Sequence, residues 1–397
     1  MSLKSLERIE TCIIVLFVFS LPFYNVSLLL DKVTPFLMVI WAIISIIKFY
    51  ISKLSIHLNI FFFILAGFYF LYGFGLLYSE NLNAGLLKME NKSSFFIIPI
   101  LTLLSSSLYQ TRKWYLISFV ISNFTASIIC LFIALQDFTY GNLYYTHFSY
   151  FLHPSYFALY VVFSMHIVWQ LISTEKGMGI MLKRVLYFVM LYFAFIVYLI
   201  SSKIGIISGI LSLSFIFFHE FSATYKLSKR TVFLVVMISL FVYSGITNHR
   251  FRIFSENIQK TPTENTHTRF LIWQESLNVI EENIFFGQGT GDAQSALNKR
   301  YLSKGYMDAY EHQLNAHNQY LETFISLGLI GFIALLLLFI LPLYYLKDQF
   351  EILSVVFLFL IGFHLLFESM FERFWGIVFF AFFFSLFFIS KRSMSKV

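Results

Sequence analysis

Residues Asn248 to Phe324 read NHRFRIFSENIQKTPTENTHTRFLIWQESLNVIEENIFFGQGTGDAQSALNKRYLSKGYMDAYEHQLNAHNQYLETF. Nothing else in the chain looks like this. Elsewhere, apolar runs of about 20 residues alternate with short polar connectors, the length a helix needs to cross a bilayer. From Asn248 to His317 polar residues persist, and four of the ten histidines fall here: His249, His267, His312 and His317. The fold is therefore read as a membrane domain that holds one long loop, and the loop is expected to carry the chemistry.

Composition supports that reading. The chain is 58% hydrophobic and only 12% charged, with a mean hydropathy of +0.76. Soluble domains carry about 25% charged residues. A transmembrane β-barrel would show segments of about 10 residues with alternating polarity, and the apolar runs do not alternate. The expected fold is all-α and polytopic, one integral membrane domain over residues 1–397. The net charge of +7 points to no nucleic-acid partner, since lysine and arginine at helix ends fix orientation in a bilayer. Cys12 and Cys130 both sit within apolar runs, so neither a disulfide nor a metal site is expected. The first apolar run, from Thr11, lacks a small-residue cleavage site and reads as a signal anchor.

Twelve spans are expected, near 9–24, 31–50, 57–78, 93–109, 114–135, 150–173, 184–201, 204–220, 231–247, 320–346, 350–367 and 374–390. The seventh and eighth must turn sharply around Ser201-Ser202-Lys203. With the N-terminus inside, most basic residues collect on the cytoplasmic side, Lys4, Arg8, Lys48, Arg112, Lys113 and Arg184 among them. Only Lys32, Lys88, Lys92, Lys203 and Arg373 fall in the short outer connectors. That bias places both termini in the cytoplasm and the loop 248–317, between helices nine and ten, outside. No ATP or nucleotide sugar reaches that face, so a substrate there must arrive already activated in the membrane.

Within the loop, Phe270, Trp273, Leu277, Ile280 and Ile284 recur at steps of three and four, which predicts an amphipathic helix from Arg269 to Ile284. Such a helix would lie on the membrane surface or on the ends of the spans, with Gly287 as its C-cap. Gly287-Gln288-Gly289-Thr290-Gly291-Asp292 follows. It is read as a tight turn with Asp292 capping a second helix, Ala293–Leu302; the alternative is a backbone cradle for phosphate. Asn315 is a candidate N-cap for the tenth span, putting His317 in its first turn. A helix N-terminus disfavours imidazolium, leaving His317 neutral and able to act as a general base. The alternative is a histidine that only hydrogen-bonds loop backbone. His249, His267 and His312 read as solvated, and residues 299–313 have no assigned role.

Outside the loop, Lys203 sits between two apolar segments with little to solvate it; it either snorkels or binds an anion. His153-Pro154 opens the sixth span. Glu90 and Lys92 are read as pairing with each other. Glu368, Glu372 and Arg373 form a structural cluster, and Asp137 with Tyr140–Tyr145 makes an interfacial turn. Together Lys203, Arg269 and His317 place cations beside a neutral base on the outer face. That suits a lipid pyrophosphate: cations hold the phosphates and the histidine takes a proton from an acceptor hydroxyl. No metal-ligand cluster is visible, so catalysis without metal or cofactor is expected.

The same residues resemble the O-antigen ligase family, over a region from about 201 to 342. The matching pieces are Ser201-Ser202-Lys203-Ile204-Gly205, then Arg269 with Trp273, then Gly287-Gln288-Gly289-Thr290-Gly291. His317-Asn318-Gln319-Tyr320-Leu321 and Gly328-Leu329-Ile330-Gly331 complete the series, and His153-Pro154 also fits. The resemblance implies a glycosyltransferase of the bacterial inner membrane with a large periplasmic loop. It would move a glycan from undecaprenyl pyrophosphate to a lipid A–core sugar. It further implies His317 and Arg269 as catalytic residues, with Arg269 and Lys203 on the pyrophosphate. Lys203 departs from the family's arginine and lacks its bidentate fork. O-antigen polymerases and protein O-oligosaccharyltransferases share this region and donor, so the acceptor stays open. A glycan transporter is the remaining alternative, with His166, Glu220 and His364 as the few charged or titratable groups within spans.

Overall fold

The computed structural model describes residues 2–23, 30–52, 56–105, 107–136, 143–175, 177–224, 228–247, 264–345 and 351–390. Among these residues the regular structure is helical throughout. In chain order come α1 (Leu3–Ser20), α2 (Val33–Ser52), α3 (Ile60–Leu76), α4 (Leu82–Lys92), α5 (Ser94–Leu104) and α6 (Arg112–Gln136). There follow α7 (Pro154–Thr174), α8 (Ile180–Ile200), α9 (Lys203–Thr224) and α10 (Lys229–Thr247). The long connection contributes α11 (Glu264–Glu282), α12 (Ala293–Lys304) and the short α13 (Met307–Glu311). The last three are α14 (Gln319–Tyr345), α15 (Ile352–Leu365) and α16 (Phe374–Phe384), the last continuing as a π turn over Ser385–Ile389.

Among the described residues, seven helices are long and apolar enough to cross a bilayer: α2, α6, α7, α8, α9, α10 and α14. Three shorter apolar helices lie at Ile60–Leu76, Ile352–Leu365 and Phe374–Ile389. The protein is thus a multi-pass membrane protein. Two expected spans take another form. The stretch expected at 93–109 is the 11-residue α5, which contains Pro99 and follows directly on the polar α4. The first, α1, carries Lys4, Glu7, Arg8 and Glu10 in its N-terminal half. Glu10 is buried there against Lys48 and accepts a hydrogen bond from Ser45 Oγ at 2.8 Å. The sharp turn after α8 is present: Ser201 takes a left-handed backbone (φ 54°) and α9 opens at Lys203.

The chain divides into two compact units. The first comprises Met1–Lys48, Gln110–Gln259 and Glu351–His364. Its core is α7, apolar on all sides and buried along nearly all of Pro154–Trp169, packed against α6, α8 and α9. A helix without a polar face belongs inside such a bundle. His166 Nε2 and Ser212 Oγ share a hydrogen bond of 2.8 Å within it, and Arg112 pairs with Glu351 at 3.1 Å near one end.

The second unit comprises Phe49–Tyr109, Lys260–Phe350 and Leu365–Val397. Here α3 packs on α14 and α5 on α16. Phenylalanines interlock edge to face, Phe68 with Phe95 at 5.5 Å and Phe95 with Phe371 at 5.1 Å, the geometry the ring quadrupoles favour. A separate core joins α11, α12 and the start of α14 through Ile272, Val279, Leu297, Tyr301, Ala316 and Ile325. This core carries the long connection.

Candidate functional site

The predicted helix at Arg269 begins five residues earlier, at Glu264. Its expected stripe divides. Trp273 and Ile280 turn inward with Ile272 and Val279, whereas Phe270, Leu277 and Ile284 remain exposed. Spacing of three and four selects a face but not its centre, and the buried face is shifted by one residue.

The glycine-rich turn follows, and it is a clasp. Gln288 and Gly289 N–H donate to Ile325 and Ser326 carbonyls at 2.7 and 3.0 Å. Thr290 N–H donates to Gly75 O at 3.3 Å and its hydroxyl to Tyr72 O at 2.6 Å. Gly291 N–H reaches Ser79 Oγ at 3.0 Å. These donors are spent on protein, which removes the phosphate-cradle alternative. Asp292 stands just before α12 but does not cap it with its side chain. Its carboxylate instead accepts from Glu80 and Asn81 N–H, at 2.7 and 3.0 Å, where α4 begins. A Cβ at Gly291 would run into the Asn81 carbonyl oxygen, and one at Gly287 (φ +71°) would lie 2.5 Å from Gly328 N.

The carbonyls that receive the turn are free because α14 is broken. Gly328 sits at φ 62°, ψ −158°, a conformation open to glycine alone. Leu329 N–H, which an unbroken helix would give to Ile325, bonds Ile284 O at 2.8 Å instead. The tenth expected span is therefore a short helix, Gln319 to Leu327, followed by a longer one.

That short helix begins at the candidate base. Asn318, not Asn315, caps it, accepting from Tyr320 and Leu321 N–H at 2.9 and 3.2 Å. The Asn315 side chain accepts from His317 N–H at 3.0 Å, closing a turn one step before the helix. His317 thus precedes the first turn and is half-buried. Its backbone is left-handed at φ 46°, unusual for a residue with a Cβ. The preceding residue, Ala316, is held at both of its backbone groups. Trp273 Nε1–H donates to Ala316 O at 3.0 Å, and Ala316 N–H donates to Glu322 Oε2 at 3.2 Å.

Arg269 lies one helical turn before Trp273, on the same face of α11. Both predicted residues belong to the second unit, and Trp273, one turn from Arg269, bonds the residue before His317. Arg269 Nη2 is 3.8 Å from the buried Glu368 carboxylate. Lys203 belongs to the first unit, where it opens α9 and is half-buried. His153, also in the first unit, is exposed ahead of α7. His312 is exposed and contacts Asp308, matching its reading as a loop residue. His249, Asp137 and Tyr140 lie outside the described residues.

Beneath the site runs a charge network that sequence reading assigned otherwise. Lys92 pairs with Glu372 at 2.7 Å rather than with Glu90, donates to Phe371 O at 2.6 Å, and lies 4.3 Å over the Tyr72 ring. Lys88 reaches Glu322 at 3.4 Å and Glu372 at 3.7 Å. Gln319 bridges Thr323, Glu372 and Phe371 N–H. Burial works against the Glu372 charge, but Lys92 and Lys88 outweigh it and hold the carboxyl below its usual range. Burial likewise opposes the Lys88 ammonium, and Glu372 with Glu322 outweighs it. Glu322 was missed by sequence reading; an acidic residue within the apolar run 320–345 was its available signal.

A cleft of about 390 Å³ opens beside α12, lined by Tyr78, Gln288, Ser295, Lys299 and Arg300 among others; neither Arg269 nor His317 borders it. Among the described residues, no three His, Cys, Asp or Glu side chains come together as a metal-ligand set.

Residues 188–336 match the O-antigen ligase family profile, which supports membership of that family. The match takes in Lys203, Arg269, the glycine clasp, His317 and Gly328. Part of the chain is also similar to an uncharacterized protein of Haemophilus influenzae, 30% identical over 128 residues. That stretch covers 30% of this chain and 32% of the relative, about a third of its length.

Proposed function

We propose, from the O-antigen ligase membership that the match over residues 188–336 supports, that this membrane glycosyltransferase moves a glycan from undecaprenyl pyrophosphate to a sugar hydroxyl of lipid A–core. The reaction takes place on the periplasmic face of the bacterial inner membrane, with both termini in the cytoplasm. His317 is the general base. Its imidazole takes the acceptor hydroxyl proton as that oxygen bonds the anomeric carbon. The bond from that carbon to the pyrophosphate oxygen breaks, and undecaprenyl pyrophosphate leaves with the electron pair. Arg269 holds the pyrophosphate and offsets the charge that develops on it. Lys203 assists as a point charge. The scheme uses no metal or cofactor.

The observation that carries this reading is the backbone of His317. A left-handed residue with a Cβ persists where its surroundings over-determine it, and such residues cluster at functional sites. Trp273, Asn315 and Glu322 supply that constraint. Arg269 lies on the same helix as Trp273, one turn away, which is consistent with a cation serving the same reaction.

Deleting the gene and resolving the lipopolysaccharide on a gel tests the acceptor. Loss of all glycan-capped lipopolysaccharide, with donor accumulating, is the expected result. Core bearing a single repeat would make the protein a polymerase instead. Unchanged lipopolysaccharide would point to a protein acceptor.

A further inference from the structure

We propose that Glu322 and Lys88 are positioning residues for His317, acting through the Ala316 peptide; this rests on His317 being the base. Gly328 breaks α14 after its first turns. A short helix severed from its continuation does not inherit that continuation's orientation. The glycine clasp fixes its C-terminal end through Ile325 and Ser326. Its N-terminal end, which carries His317, needs a separate anchor, and the charge network supplies one.

Four charged side chains gather there: Lys88, Lys92, Glu322 and Glu372. Glu322 and Lys92 are 1% and 0% exposed, and Lys88 is 21% exposed. Burying such groups costs desolvation energy, and packed apolar residues often serve stability as well or better. Geometry is what the charges add. The two oxygens of Glu322 are divided between two tasks. Oε1 faces the Lys88 ammonium at 3.4 Å, and Oε2 accepts from Ala316 N–H at 3.2 Å. Lys88 thereby fixes the rotation of the carboxylate that holds the N–H of Ala316, the residue before His317. From the other side Trp273 fixes the carbonyl of the same residue. A glutamine at 322 keeps one acceptor but turns an amide N–H₂ toward either Lys88 or Ala316 N–H, both donors. Neither Glu322 nor Lys88 is assigned contact with substrate, so both act on the geometry of His317.

The test uses the full-length protein purified in detergent, with donor extracted from a strain lacking the gene and core lipopolysaccharide from the same strain. Glu322→Gln and Lys88→Met should each lower kcat about tenfold to a hundredfold, the loss expected from a small misplacement of a catalytic group. Donor KM should stay within about threefold. Because both act through one connection, the double variant should be no slower than the slower single. Lys88→Arg, which keeps a cation, should retain the wild-type rate. Should Glu322→Gln fail to accumulate, Lys88→Met at the rim of the network decides by the same criteria. Single variants with wild-type kcat overturn the proposal, as does a double variant whose loss is the product of the single losses. If His317→Asn itself turns over normally, the base assignment fails instead, a result separable from these.

Discussion

At the level of single residues the account rests on His317. Asparagine is among the few side chains that enter the left-handed region readily, so His317→Asn keeps the backbone at φ 46° while removing the base. Transfer should fall by a factor of about 10² to 10⁴, the usual contribution of general base catalysis, with normal accumulation in the membrane. Strain at this position makes a second expectation. His317→Gly should be more stable than His317→Ala by about 1 kcal/mol, because glycine takes positive φ freely and alanine does not. Thermal melts of the two variants compare them directly. The sequence showed His317, Arg269 and Trp273 as residue types in order, but not what holds them. Two asparagines, at 315 and 318, both suit an N-cap; choosing between them needs the backbone, since Asn315 closes a turn on His317 itself. Glu322 and Lys88 lie far apart in the chain, and no local pattern announces their pairing.

At the level of elements, the glycine clasp and the break in α14 define each other. Gly287 packs on Gly328, and the turn's N–H groups fill the carbonyls the break exposes. Gly291→Ala should cost about 1–3 kcal/mol, as overpacking against fixed backbone does, and should lower transfer by loosening the base's helix; melting temperature and rate should fall together. Asp292→Ala removes the acceptor for two N–H groups at the start of α4 and should cost about 1 kcal/mol, typical of a lost cap. The turn and the two loop helices were legible from glycine content and from spacing. The break was not. Residues 320–345 read as one uninterrupted apolar run, and a glycine within such a run is ordinary for membrane helices. The backbone of Gly328 and the pairing of Leu329 with Ile284 show that the hydrogen-bond ladder changes partners.

For the molecule as a whole, hydropathy was enough to read a multi-pass membrane protein, and the seven long apolar helices and three shorter ones agree with that. Span lengths were less legible. Of the charged residues in α1, Glu10 is buried against Lys48, and the run expected at 93–109 is an 11-residue helix with Pro99 inside it. Orientation rests on the distribution of basic residues and is open to direct test. In a background of Cys12→Ser and Cys130→Ala, Lys299→Cys should react with a membrane-impermeant maleimide in intact cells. Lys229→Cys should react only after lysis. The reverse pattern would place the long connection in the cytoplasm and remove the lipid-linked donor argument.

The most direct measurement is reconstitution. Purified protein in liposomes, given an undecaprenyl pyrophosphate-linked glycan and lipid A–core, should form a new glycosidic bond and release undecaprenyl pyrophosphate, whereas His317→Asn should bind donor but form product about 10²- to 10⁴-fold more slowly. Glycan crossing the bilayer without a new bond, or a His317→Asn rate equal to wild type, would contradict the account.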